Sequence, residues 1–103
     1  MFFKRRNHFR SNNSKKVRGH PTYIYKKVGN KFYYIGLTHS EITQGSKNIK
    51  LEKNPNPFDD KDSYIRPFSS EDEISKFGKK KKGWKLSKLD KKKVKSVKKN
   101  HKK

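Results

Sequence analysis

Apolar residues are sparse along this chain, and their spacing marks one segment above the rest. From Thr22 the residues read Thr-Tyr-Ile-Tyr-Lys-Lys-Val, then Gly29-Asn30, then Lys-Phe-Tyr-Tyr-Ile-Gly-Leu to Leu37. Two runs rich in aromatic and β-branched residues around a Gly-Asn pair predict a hairpin with a two-residue turn. A regular register sets Val28 opposite Lys31, Lys26 opposite Tyr33, Ile24 opposite Ile35 and Thr22 opposite Leu37. The other face then pairs Lys27 with Phe32, Tyr25 with Tyr34 and Tyr23 with Gly36. Alternation makes these two distinct surfaces. One is aliphatic (Ile24, Val28, Ile35, Leu37) and suits a core; the other is aromatic (Tyr23, Tyr25, Phe32, Tyr34).

Beyond the hairpin, Ile49 and Leu51 alternate with polar neighbours and predict a third strand over Lys47–Lys53. Asn54-Pro55-Asn56-Pro57 ends it, since proline cannot donate to a ladder. Asp59, Asp60 and Asp62 follow in a loop without the spacing or glycine of a calcium site. Ser63–Phe68 reads as a short fourth strand. Ser70-Glu71-Asp72-Glu73 matches a capping box, which predicts a short helix over Glu71–Phe77 closed by Gly78. Trp84 is either an anchor on the core or a stacking surface. Ser87-Lys88-Leu89-Asp90 is a second capping box, and a helix from about Lys88 is expected to fray until its lysines meet a polyanion. The expected fold is α+β: a three- to four-stranded antiparallel sheet with one short helix and loosely ordered basic termini. The division is a disordered basic arm over 1–19, a small α+β domain over 20–84, and a lysine-rich tail over 85–103, helical when bound.

Composition narrows the class. The chain has 103 residues, 27% hydrophobic and 38% charged, with no cysteine, so one small core is all it can bury. Disulfides and thiolate metal sites are excluded, which fits a reducing compartment. No run approaches the ~20 apolar residues of a membrane span, and a cytoplasmic protein is expected. Net charge is +21 and is unevenly spread: +10 over residues 1–40, −3 over 41–73 and +14 over 74–103. Two cationic flanks around a near-neutral middle point to a polyanionic partner.

The reading that needs least is binding of RNA or single-stranded DNA. Arg5, Arg6 and Arg10 in the arm, with Lys79, Lys80, Lys81, Lys82, Lys91, Lys92 and Lys93, would contact phosphates. Tyr23, Tyr25, Phe32 and Tyr34 would stack on bases, with Lys27 and Lys31 at the rim. A metal-independent ribonuclease is the alternative, of the size and charge of small basic toxins. It needs a general base, a general acid and a cation on the phosphate. His39 would be the base, His20 or Tyr64 the acid and Arg66 the phosphate clamp. A third class, a module for an acidic protein partner, would use the same charges. No metal or cofactor is called for.

Tyr23-Ile24-Tyr25, followed by Tyr34-Ile35-Gly36 and Thr38, resembles the opening hairpin of GIY-YIG nucleases, over less than a fifth of the chain. That family carries an arginine on a helix soon after the second triplet and a metal-binding glutamate further on. Here the first triplet lacks glycine, Arg66 is the first arginine after the second triplet, and no glutamate stands in a matching context. The whole chain also looks like short basic proteins carried by mobile elements of Gram-positive bacteria, a likeness that implies no activity.

Overall fold

The computed structural model of the chain describes residues 7–13 and 19–101. Within it the hairpin forms where its turn residues require. β2 (His20–Val28) and β3 (Lys31–Thr38) are joined at Gly29-Asn30. Gly29 has φ +60°, a left-handed conformation that glycine adopts without a Cβ penalty. Val28 pairs with Lys31, Lys27 with Phe32 and Lys26 with Tyr33, as the regular register requires.

Past Lys26 the register shifts by one residue. A bulge between Ile24 and Lys26 sets Ile24 opposite Tyr34, Tyr23 opposite Ile35 and Thr22 opposite Gly36. One extra residue in a strand exchanges the faces of everything beyond it. Tyr23 therefore joins Ile35 and Leu37 on one side, while Ile24 joins Phe32 and Tyr34 on the other. The division into an aliphatic and an aromatic face is thus corrected. Each face is mixed, and each is covered.

The sheet is larger than three or four strands. β1 (His8–Asn12) lies antiparallel beside β2, and β9 (Phe77–Lys80) lies beside β1. The far edge of β3 is shared. β8 (Ser70–Glu73) pairs with residues 31–34, and β7 (Tyr64–Ile65) with Leu37 and Thr38. β6 (Ile49–Lys50) extends β7, making seven strands among the described residues. β4 (Ile42–Thr43) and β5 (Ser46–Lys47) form a separate ribbon. The expected third and fourth strands are present only as the two-residue β6 and β7.

β8 and β9 pair at opposite sides of the β3–β2–β1 core, yet only the 3₁₀ turn Ile74–Lys76 separates them in the chain. The sheet must curl until its edges meet at that turn. Ile74 N donates to Asn30 O at 2.8 Å, and Asn13 N donates to Lys76 O at 2.7 Å. Inside the curl Phe77 packs edge-on against Phe32 (5.2 Å between ring centres) and Tyr34 (5.3 Å), with Ile24 and Ile74 around them. The crossing is tight: a Cβ at Gly78 would collide with the Ser11 hydroxyl. This overturns the helix expected over Glu71–Phe77. One capping box is a local preference, and the unpaired edges of β3 and β1 offer main-chain hydrogen bonds along most of the segment.

The second capping box does cap a helix, α1 (Lys88–Val97), with the Ser87 hydroxyl accepting from Asp90 N at 3.1 Å. Its Val94 and Val97 are buried with Leu86 against Phe9, Tyr23, Ile35, Leu37, Leu51 and Ile65. Asp90 is fully buried and accepts from Glu52 N (2.7 Å) and Lys53 N (3.1 Å), tying the helix to the segment after β6. The last described residues are tied down as well. His101 lies between the buried Ser69 hydroxyl (2.8 Å from Nδ1) and the Glu71 carboxylate (2.9 Å from Nε2). Residues 85–101 are therefore packed onto the sheet through Leu86, Asp90, Val94, Val97 and His101, with the lysines of α1 facing outward. β1 likewise makes His8–Asn12 an interior strand of the sheet. The remaining arm positions, 1–6 and 14–18, lie outside the described residues.

Two stability predictions follow from these contacts. Asp90→Ala orphans two main-chain donors, each costing about 1–3 kcal/mol when buried, so urea unfolding should show a loss of at least ~2 kcal/mol. Glu71 is held below its ordinary value of 4.5, first by the hydrogen bond from His101 and then by that from Lys31. The unfolded chain therefore takes up this proton first as pH falls. The Glu71 contribution is complete above the unfolded value and is lost as pH drops through the folded one. Melting temperature should decline over that acidic window, and Glu71→Gln should flatten the decline.

Candidate functional site

A pocket of about 230 Å³ opens where β2 begins and β3 ends. His20 and Pro21 supply one wall, and Leu37, Thr38, His39 and Ser40 a second. Asn54, Asp59 and Ser63 come from the loop after β6, and Trp84 from the segment before α1. The loop is shaped by its own side chains. Asn54 Oδ1 accepts from Asn56 N (2.9 Å), Asn56 Oδ1 from Phe58 N (3.0 Å), and Asp59 Oδ1 from Lys61 N (3.0 Å). Each short polar side chain bonds to the backbone two residues on, the geometry that makes Asn and Asp turn formers.

These turns deliver two acceptors to His39. Its Nδ1 lies 2.9 Å from the Asp62 carbonyl, and its Nε2 lies 3.4 Å from Asp59 Oδ2. A carbonyl can only accept, so the neutral ring carries its proton on Nδ1. In the charged ring Nε2 carries the second proton and faces the carboxylate. The Lys61 N–H holds the Asp59 carboxyl below its ordinary range, partial burial opposes this, and His39 adds to the lowering. Trp84 packs on Phe9 with ring centres 5.6 Å apart, and Lys81 Nζ stands 5.3 Å above its ring. It is an anchor and a pocket wall together.

The expected catalytic residues divide. His20 and His39 share the pocket. Tyr64 lies opposite Thr38 in the β7–β3 pair, outside the residues lining it. Arg66 is engaged elsewhere. Its Nη1 donates to Asn48 Oδ1 (2.7 Å) and to Thr43 O (3.3 Å), with the guanidinium 4.8 Å above the Phe68 ring. It clamps the β4–β5 ribbon to the sheet, and partial burial lowers its pKa. The structure therefore does not place it as a phosphate clamp at the pocket.

The expected binding residues divide too. Tyr23, Phe32 and Tyr34 are buried, and burial pushes the two tyrosines above the usual phenol value. Tyr25 is half-buried, donates to Ser69 Oγ and lies under Lys98. These four do not form an open stacking platform, because the bulge turns both faces of the hairpin into core. Arg10 is structural: it donates to His8 Nε2 and to Gly78 O and lies over Phe32. Lys31 pairs with Glu71 at 3.2 Å, and Lys93 donates to Lys50 O. Lys27, Lys79, Lys80, Lys82, Lys91 and Lys92 are exposed, and Lys81 is half-buried at Trp84. Arg5 and Arg6 lie outside the described residues.

Asn54 and Asp59 were missed as site residues. The signal for them was the Asn-Pro-Asn-Pro run with an aspartate beyond it, a series of turns that returns the chain to its start. Among the described residues no group of three or more His, Cys, Asp or Glu side chains is placed to hold a metal ion. No helix among them is long and apolar enough to cross a membrane. The second triplet of the GIY-YIG-like hairpin is followed by β4 and β5, with no helix where that family carries its arginine. Comparison with family models, curated proteins and solved structures finds no match.

The His39 contacts set its neutral tautomer. Two-dimensional ¹H–¹⁵N spectra of the imidazole, taken at a pH where the ring is neutral, should show the proton on Nδ1. An Nε2–H form would contradict the bond to Asp62.

Proposed function

We propose that the protein acts on single-stranded RNA, held by its lysine surface, and cleaves it without a metal at the two-histidine pocket. The observation that carries this reading is the meeting of His20 and His39, nineteen positions apart in sequence, at one concave site lined by hydroxyls. Transesterification within RNA needs one group to take the 2′-hydroxyl proton and another to return a proton to the 5′-oxygen that leaves. His39, with an acceptor at each ring nitrogen, is arranged as the proton donor. The His20 ring, at the start of β2 on the pocket wall, makes no hydrogen bond or ion pair among the described residues and is assigned as the base. This exchanges the roles expected from sequence. The Asp62 carbonyl orients His39 through Nδ1, and Asp59 balances the charge of the protonated ring but must release Nε2 for that nitrogen to protonate the leaving oxygen.

Affinity comes from the exposed lysines, through release of counterions from the phosphates. Binding without cleavage is the second reading, favoured by the position of Asp59, which stands on the nitrogen that would face substrate.

Incubation of single-stranded RNA with the protein in chelator separates the two. Cleavage should persist, leave 2′,3′-cyclic phosphate ends, and fall by about 10²–10⁴-fold in His20→Ala and in His39→Ala, with affinity nearly unchanged. Intact RNA with full binding leaves the binding reading alone. For either, affinity should fall by roughly 10³-fold between 50 and 200 mM salt if about six phosphates are engaged. Lys91→Gln with Lys92→Gln should reduce the logarithmic salt slope by about 2. An unchanged slope would remove α1 from the interface.

A further inference from the structure

We propose that Lys81 is the phosphate-stabilising cation of the two-histidine pocket, held on the Trp84 ring until a phosphodiester enters. The inference rests on the RNA-directed reading above and adds the residue that carries the charge of the reacting phosphate. In that reaction the 2′-oxygen bonds to phosphorus as its proton passes to His20, and the 5′-oxygen leaves with a proton from His39. The phosphorane between them bears an additional negative charge, and a fixed cation beside it lowers the barrier. No lysine or arginine is among the described residues that line the pocket. With His20 neutral as the base and His39 charged beside Asp59, the lining sums to no net charge. Arg66, the cation expected from sequence, is held by Asn48 and Thr43. The cation must therefore come from just behind the lining.

Lys81 stands there on a preformed mount. Lys82 and Gly83 form a turn, with Gly83 at φ +83°, and such a turn brings the residues on either side of it together. Those residues are Lys81 and Trp84. The Lys81 N–H donates to Phe9 O at 2.7 Å, and the Trp84 ring packs on the Phe9 ring with centres 5.6 Å apart. Backbone and indole are thus anchored to one buried residue of β1, and Lys81 Nζ lies 5.3 Å from the centre of the indole ring that walls the pocket. The ammonium makes no hydrogen bond or ion pair among the described residues, whereas Lys31, Lys50 and Lys93 are each engaged by a carboxylate or a carbonyl. A cation–π contact at a partly exposed ring is weaker than a charge-assisted hydrogen bond to phosphate, so an entering phosphate takes the ammonium from the indole. The flexible four-carbon stem permits that movement. At about 230 Å³ the pocket is smaller than the ~300–1,000 Å³ that drug-sized ligands need, and a phosphate at the histidines is close to every wall. Lys81 also offsets Asp59, the acidic residue of the lining, which otherwise repels the strand.

Cleavage and binding test this separately. Lys81→Met keeps the stem on Trp84 and removes the charge. In chelator its kcat on single-stranded RNA should fall by about 10²–10³-fold, with KM changed by less than about tenfold and the logarithmic salt slope by about 1. Lys81→Arg restores the charge and should recover most of the loss in kcat. A lysine that only adds affinity moves KM and the salt slope and leaves kcat alone. Trp84 is the only tryptophan in the chain, so its fluorescence reads the departure of the ammonium. Dimethyl phosphate, a phosphodiester without base or sugar, titrated at constant ionic strength, should give a saturable change that Lys81→Met abolishes. In the wild-type chain the Lys81 ε-methylene proton signals, displaced by the indole ring current, should return toward their ordinary position along the same curve. That measurement carries the test if Lys81→Met does not fold. A wild-type kcat in Lys81→Met, or dimethyl phosphate that moves neither the fluorescence nor the methylene signals, would overturn the proposal. RNA cleavage that needs His20 and His39 but not Lys81 would overturn it and leave the proposed function standing. A saturable, Lys81-dependent change in a protein that does not cut RNA keeps the phosphate site and overturns the cleavage reading alone.

Discussion

The turn Ile74–Lys76 joins β8 on one side of the curled sheet to β9 on the other, and most of the architecture depends on that short link. With its ends connected by three residues, the sheet has no flat alternative. Phe77 is carried into contact with Phe32 and Tyr34, which closes one hydrophobic cluster inside the curl. The outer face is left to Phe9, Tyr23 and Ile35, and α1 covers it. The bulge at Tyr25 belongs to the same geometry, because a bulge increases local twist and bends a strand. A chain with 27% hydrophobic residues thus builds two small clusters on one sheet, using β2 and β3 on both faces.

The pocket sits at the far end of β2 and β3 from the Gly29-Asn30 turn, with a loop as its third wall. That placement separates tasks. The scaffold holds His20 at the paired start of β2 and His39 one residue past the end of β3, while the loop brings Asp59 through bonds within its own turns. The exposed cations stand on α1 and on the run Lys79–Lys82 that ends β9, with Lys81 reaching the Trp84 wall. Long-range attraction is supplied by many weakly placed charges, and local chemistry by few well-placed groups.

What the sequence made legible was whatever depends on neighbours in the chain. The Gly-Asn turn, the Ser87 cap and the Asn-Pro turns are local, and each forms. The Ser70 box is equally local and fails, because the open edges of β3 and β1 compete for the same backbone. Tyr23 and Ile24 show the other limit. Period-two counting assigns them correctly only if no residue is inserted, and no signal marks Tyr25 as the insertion. His20 and His39 were singled out for their chemistry, but their meeting depends on pairing between strands. Arg66 looked available by its charge and is engaged by Asn48 and Thr43, contacts that exist only once the β4–β5 ribbon has folded back. The strand in the N-terminal arm was hidden for a related reason: His-Phe-Arg-Ser-Asn has no apolar alternation, and Phe9 alone faces the outer core.

The three-residue link Ile74–Lys76 makes the two margins of the sheet interdependent. In an open sheet an edge strand frays by itself, and the damage stops at the next ladder. Here β9 cannot lift from β1 without pulling on Ile74, which is bonded to Asn30, and through it on β8. Loss of one margin therefore strips the other, and both templates for intermolecular pairing become available in a single event. Local breathing of residues 70–80 is consequently all-or-none, and the dangerous partially unfolded form is a doubly unzipped sheet rather than a singly frayed one.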